Sequence, residues 1–151
     1  MEAKARHEST LIERALALAV EAHAGHRNAS GGPYVLHPIR VMLRVEDEAE
    51  RIVALLHDTV ENEPDRVSLE RLRREGYSDE VVDAIDRLTR RPGEPYADFV
   101  ERIAPSRLAR AVKLADLADN LEWMVFGAED AGDPTGVHER MLALRRLKSV
   151  E

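Results

Sequence analysis

The sequence predicts an all-α protein, a single-domain helical bundle of about seven to nine helices with no significant sheet. Three observations predict it. Ala, Leu, Arg and Glu are abundant, whereas aromatic residues make up only 4% of the chain, a balance that favours helix over strand. No segment of useful length alternates apolar and polar residues with a period of two. Apolar residues recur instead at helical spacing, in runs ended by Gly, Pro and Asn. With 151 residues and 44% apolar content, the chain has enough material for one sizeable core and little room for a second, so residues 1–151 read as one domain.

The elements follow in order. Ser9-Thr10 caps a helix running to about residue 24, with Leu11, Ala15, Leu18 and Ala22 on one face, and Gly25 ends it. Residues 28–34 hold two Gly and a Pro and read as a loop. A helix then begins near His37, with Pro38 in its first turn, and runs to about residue 45. Residues 48–60 form a helix apolar on most sides (Ile52, Val53, Leu55, Leu56, Val60), which makes it central. Asn62 to Asp65 break it. Ser68 and Ser78 each cap a short helix, over 68–75 and 78–88, and residues 91–95 form a loop before a helix at 96–103. Pro105-Ser106 opens a long helix to about Trp123. Residues 127–136, acidic with Gly and Pro, read as a mobile loop, and a last helix covers 137–148.

Composition removes several function classes. The net charge of −7 argues against binding long nucleic acids, which Lys and Arg drive. The absence of cysteine excludes disulfides, Fe–S clusters, thiolate zinc and Cys nucleophiles. No run approaches the roughly 18 apolar residues of a membrane span, and the charged start lacks an apolar signal core; a cytoplasmic location and no membrane partner are expected. The bases are almost all Arg, with Lys only at positions 4, 113 and 148, from which no function follows.

The informative residues are polar groups inside apolar helices. His57 and Asp58 directly follow the apolar run of the central helix, with Glu61 on their side one turn later. In the long helix, Leu114, Leu117, Ala118 and Leu121 form one apolar face, while Val112, Asp116, Asp119 and Trp123 form the opposite one. Buried carboxylates need partners or a metal. His37, at a loop-to-helix junction, is a third candidate. Together His37, His57, Asp58 and Asp116 would give two imidazole nitrogens and two carboxylate oxygens, a set suited to a borderline divalent ion such as Mn²⁺, Fe²⁺, Zn²⁺ or Co²⁺. Such a site acidifies water and offsets phosphate charge, and Glu61 stands where it would orient or deprotonate that water. The plainer alternatives are a helix-end hydrogen bond for His57-Asp58 and an ion pair for Asp116.

At these residues the chain resembles the HD-domain metal-dependent phosphohydrolases and, more closely, the hydrolase domain of the RelA/SpoT proteins and the small alarmone hydrolases. The resemblance spans residues 10–125 and rests on ordered motifs. These are Ala22-His23-Ala24-Gly25; Ser30-Gly31 and Pro33-Tyr34 leading to His37-Pro38; Ala54 to Asp58 with Glu61; and Val112 to Asp116 ending at Asn120. It implies an all-helical HD-type bundle in which His37, His57, Asp58 and Asp116 hold one divalent metal, typically Mn²⁺, with Mg²⁺ among the alternatives. It further implies water attack on the 3′-pyrophosphate of guanosine tetra- or pentaphosphate. Glu61-Asn62 matches the catalytic pair, and Ser30, Lys113 and Asn120 match positions lining the substrate pocket.

The departures bear on substrate. The family's Glu-Asp is Glu61-Asn62 here, and Asn cannot act as a base. The Arg-Lys that packs on guanine and holds phosphate is Asn28-Ala29 here, with Arg27 one position earlier as a substitute. The Arg-Leu-His-Asn after the last metal Asp is Leu117 to Asn120 here, and Asp119 would repel phosphate unless it faces away or pairs with an Arg. The reading is therefore a metal-dependent phosphohydrolase for a small phosphorylated, nucleotide-like substrate. The alternative is a catalytically weakened domain that binds a nucleotide or a protein; a purely structural helical module is the third. Oligomeric state is not readable. His23 reads as a packing residue and His26 as a loop residue, with a metal pair as their alternative; His7 and His138 read as solvated; Trp123 reads as core, with a base-stacking platform as its alternative. The Arg71, Arg73, Arg74 group and Arg90-Arg91 read as solvated, or alternatively as phosphate-steering patches.

Overall fold

The computed structural model describes residues 9–126 and 134–150, and these contain nine helices and no strand. Helix α1 (Leu11–Ala22) starts at a capping box: Glu13 N–H donates to Thr10 Oγ1 (3.3 Å), and Thr10 N–H donates to Glu13 Oε2 (2.6 Å). Beyond it Gly25 takes φ +80°, a left-handed conformation that glycine adopts without a Cβ penalty. The loop that follows is held by Asn28, whose Oδ1 accepts from Gly32 N–H and from Ser30 Oγ, both at 2.8 Å. Helix α2 (Leu36–Leu43) follows, with Pro38 in its first turn, where a missing N–H costs nothing.

The expected single helix at 48–60 is two: α3 (Glu48–Leu56) and the short α4 (Thr59–Asn62), with His57 and Asp58 at the joint. Side chains explain the break. His57 Nδ1 donates to the Ala54 carbonyl (2.6 Å) and Thr59 Oγ1 donates to the Leu56 carbonyl (2.8 Å). Acceptors that a continuing helix would satisfy with backbone N–H groups are thus taken by side chains. Helices α5 (Leu69–Arg74) and α6 (Asp79–Leu88) are capped by Ser68 and Ser78 as expected, and α7 (Tyr96–Ile103) matches its expected span. The Ser106 hydroxyl accepts from Ala109 N–H (3.1 Å) at the start of α8 (Arg107–Phe126). The last helix, α9 (Pro134–Lys148), begins three residues before the expected start, so Pro134 to Gly136 belong to it rather than to the loop. The rest of that expected loop, residues 127–133, and His7 lie outside the described residues.

Helix α3 is central, as its apolar sides require, and packs against α1, α2, α6 and α8. Its Val53, Ala54, Leu55 and Leu56 are fully buried, and each of the larger side chains stabilises the fold by about 1.5–3 kcal/mol. Helix α8 is the second central element, touching α2, α3, α6, α7 and α9. The candidate ligands sit where α2, the α3–α4 joint and α8 meet. No described helix is long and apolar enough to cross a membrane.

Candidate metal centre

The joint between α3 and α4 fixes His57. A carbonyl oxygen can only accept, so the hydrogen bond to Ala54 puts a proton on Nδ1 and leaves Nε2 as the nitrogen that faces the cluster. That Nε2 is buried without a hydrogen-bond partner, 3.2 Å from Asp58 Oδ2 and 3.5 Å from Asp116 Oδ1. An unpartnered buried nitrogen aimed at two carboxylates fits a cation better than it fits a hydrogen-bond network. Ligand atoms of His37, His57 and Asp58 lie within 4.8 Å of one another. Tyr34 donates its hydroxyl to Asp58 Oδ2, which orients that carboxylate.

Helix α2 supplies His37. Its Nε2 is 2.9 Å from Asp116 Oδ1, and its Nδ1 is 2.8 Å from Asp119 Oδ2. Asp119 is 1% exposed and is itself held by Arg40, whose Nε and Nη2 each lie 3.0 Å from a different oxygen, and by Arg44 Nη2 at 3.5 Å. Asp119 thus pairs with Arg rather than facing a substrate phosphate, the second of the two outcomes that its position left open. His37 and Arg40 on α2 and Arg44 at its C-cap stand at i, i+3 and i+7, a spacing that is the sequence signal for this network. On α8, Asp116 Oδ2 accepts from Lys113 Nζ (2.8 Å), and Asp116 Oδ1 from Asn120 Nδ2 (3.1 Å).

The electrostatics follow from burial and pairing. Burial alone would raise Asp116, but Lys113, His37 and His57 hold its pKa well below the usual carboxylate range. Asp58 is likewise drawn down, to about 2, by the His57 imidazole against the opposing effect of burial. Burial would lower His57 and His37, yet the neighbouring carboxylates raise both. Both carboxylates are therefore ionised, as metal ligands must be.

The cluster opens into a cavity of about 470 Å³ lined by Tyr34, His37, Asp58, Lys113, Asp116 and Asn120, with Ser30, Arg40, Trp123 and Arg140 farther around the wall. This is the size of a small-molecule site. Not every candidate reaches it. Arg27 is exposed and does not line the cavity. Glu61 Oε1 accepts from Arg90 N–H (3.1 Å) beside the 89–95 loop and lines a separate surface hollow. Burial and the Asp58 charge raise its pKa. Asn62 lies beside the Tyr34 hydroxyl. His23 is buried against Tyr34, ring centroids 4.9 Å apart, as a packing residue should be; His26 contacts Glu63 at 3.0 Å, and His138 is exposed. Arg90 donates to the Glu94 carbonyl, and Arg91 donates to the carbonyls of Asp86 in α6 and of Thr89. Trp123 corrects its expectation: it is 44% exposed and lines the cavity instead of the core, one turn beyond the buried Asp119. The roles of Tyr34, Arg40 and Arg44 were not foreseen.

No family model matches the chain. The chain is 32% identical over 130 residues to a probable GTP pyrophosphokinase of Mycobacterium leprae, covering 78% of this chain and 16% of that protein. It is 28% identical over 131 residues to a guanosine-3′,5′-bis(diphosphate) 3′-pyrophosphohydrolase of Aquifex aeolicus, covering 78% and 18%. It superposes on the solved structure of a metazoan orthologue of SpoT, described as hydrolysing ppGpp, with a TM-score of 0.78 and 24% identity, covering 97% of this chain and 90% of that one. The chain is similar to the RelA/SpoT proteins in sequence and in fold. It spans less than a fifth of the length of the curated relatives that it matches. The candidate ligands His37, His57, Asp58 and Asp116 fall on α2, the α3–α4 joint and α8.

Proposed function

We propose that this domain is a metal-dependent phosphohydrolase that cleaves a phosphate ester or pyrophosphate of a nucleotide-like substrate, with guanosine tetra- or pentaphosphate, cut at the 3′-pyrophosphate, as the first candidate. One observation carries the reading: the buried Nε2 of His57, without a hydrogen-bond partner, faces ionised Asp58 and Asp116 at the floor of a cavity whose walls hold cations. His37, His57, Asp58 and Asp116 would hold one divalent ion, Mn²⁺ being the ion the resemblance favours. Acidification of water and neutralisation of phosphate charge are the chemistry such an ion supplies. The protein's own groups do the rest. Tyr34 orients Asp58, and the Ala54 carbonyl and Asp119 fix the two imidazoles. Lys113, kept protonated by Asp116 despite burial, stands at the cavity wall as a phosphate contact. Ser30 and Asn120 supply further polar contacts. In the net reaction, water adds to phosphorus, the P–O bond to the leaving group breaks, and the leaving oxygen takes a proton. A cytoplasmic location agrees with this substrate.

A second reading has a specific observation behind it. Glu61 is tied to the Arg90 N–H and lies outside the cavity lining, and its neighbour is Asn62 rather than a second acid. A domain with that arrangement would bind a nucleotide or a partner while turning it over slowly. One experiment separates the two. Mn²⁺-loaded protein is incubated with guanosine tetraphosphate and with nucleoside mono-, di- and triphosphates, and released phosphate and pyrophosphate are measured. Turnover that falls at least tenfold in Glu61→Gln, with Mn²⁺ affinity kept, supports the phosphohydrolase. No turnover on any substrate, despite bound Mn²⁺, sinks it in favour of the binding module.

A further inference from the structure

We infer that Trp123, backed by Arg40, is the platform on which this domain stacks the base of its substrate, and that the ligand class is a purine nucleotide. The inference rests on the nucleotide reading above. Trp123 is the chain's single Trp, and it is 44% exposed within the same cavity as the ligand cluster. Asp116 and Trp123 are seven residues apart on α8. That is nearly two full turns, which puts both on one face about 10 Å apart along the axis. The span suits a nucleoside whose phosphate reaches the ligand cluster while its ring reaches the indole.

The platform is rigid. The Arg40 guanidinium lies over the indole at 4.6 Å from its centroid, and its Nε and Nη2 are held by Asp119. A flat ring entering the cavity extends an existing stack and orders no new side chain. The competing aromatic at this wall, Tyr96, already faces cations, with Arg90 at 5.5 Å and Lys113 at 6.0 Å from its ring. The 28–30 loop offers no stacking group either: Ala29 is small, and the Asn28 side chain is spent on Ser30 and Gly32. Base recognition therefore falls to the α8 side of the cavity. Every base has a π-face, so stacking alone would accept any base; the larger purine rings cover more of the indole.

The test uses Mn²⁺-loaded protein, with Mn²⁺ held constant, and two probes: guanosine 5′-diphosphate and ribose 5-phosphate. Tryptophan emission reports on Trp123 alone, and calorimetry gives affinities. Guanosine 5′-diphosphate should quench the emission saturably and ribose 5-phosphate should not. Trp123→Ala should weaken guanosine 5′-diphosphate about tenfold, in the lower half of the range for base–aromatic stacking, and leave ribose 5-phosphate within about twofold. Trp123→Phe should restore most of the loss. Guanosine 5′-diphosphate binding Trp123→Ala as tightly as the parent protein, or not binding the parent at all, overturns the inference. Quenching and the tenfold loss without turnover of any substrate would reject the phosphohydrolase and leave the platform standing; turnover without quenching would do the reverse.

Discussion

Asp119→Asn is the most discriminating perturbation of the candidate ligand cluster, because Asp119 does not itself line the cavity and the substitution changes one charge. Asp119 accepts from His37 Nδ1 at 2.8 Å and from Arg40 at 3.0 Å. The amide keeps the shape and one acceptor oxygen but loses the charge that fixes the His37 tautomer. Removing a partner of this kind typically lowers metal affinity 10–100-fold, which is about 1.4–2.8 kcal/mol. Fold stability falls as well. Hydrogen bonds to a charged group contribute about 1.5–3 kcal/mol each. Arg40 and Arg44 are 28% and 33% exposed and rehydrate when released, so a net loss of about 2 kcal/mol is expected. Mn²⁺ titration calorimetry measures the first quantity and urea unfolding of metal-free protein the second. The effect on Mn²⁺ affinity should vanish in a His37→Ala background, since Asp119 acts through His37. Mn²⁺ affinity within twofold of the parent protein in Asp119→Asn would refute the positioning role, whatever happens to stability.

Mn²⁺ binding only to the folded state should stabilise it by about 2.7 kcal/mol at a hundredfold excess over Kd, or roughly 5–10 °C in Tm at this chain length; thermal melts should show the shift in the parent protein, and its persistence in Asp58→Ala would contradict the ligand assignment. Leu55→Ala, at a fully buried site in α3, should cost about 2–5 kcal/mol in urea unfolding, and a loss below 1 kcal/mol would mean that α3 is not central. Arg102 holds Glu94 to a pKa of about 2, below its ordinary value. A depressed carboxylate stabilises above its unfolded pKa and loses that contribution as pH falls through the folded one. The stability gap between the parent protein and Glu94→Gln should therefore be full at pH 6 and close towards pH 2; a gap independent of pH would disprove the ionic contribution.

What the sequence made legible divides along contact range. The caps at Ser68, Ser78 and Ser106 were readable because a cap acts within three residues, and α7 was readable because Pro95 and Pro105 bracket it. The clustering of His37, His57, Asp58 and Asp116 was readable because polar residues in apolar helices must find partners. The break at His57 was not, because it depends on how side chains meet the carbonyls behind them once α3 is packed. The Arg40–Asp119 pair joins residues 79 apart in sequence, so only the spacing on α2 hinted at it. Trp123 lies on the α8 face that carries Asp116, and periodicity cannot tell where a helix face leaves the core and enters a cavity.

The candidate ligands come from chain segments far apart, and this would give a bound ion a mechanical part to play. His37 and Asp116 are 79 residues apart, so an ion held between them is a non-covalent clasp across half of the chain. Closing so long a loop restricts the unfolded ensemble the most. In the clasped protein, α2 and α8 cannot open independently, so their amides should exchange with solvent as one cooperative unit. Without the ion, each is free to open on its own. Occupancy of the centre would then be readable far from any substrate, as the rhythm with which two distant helices come apart.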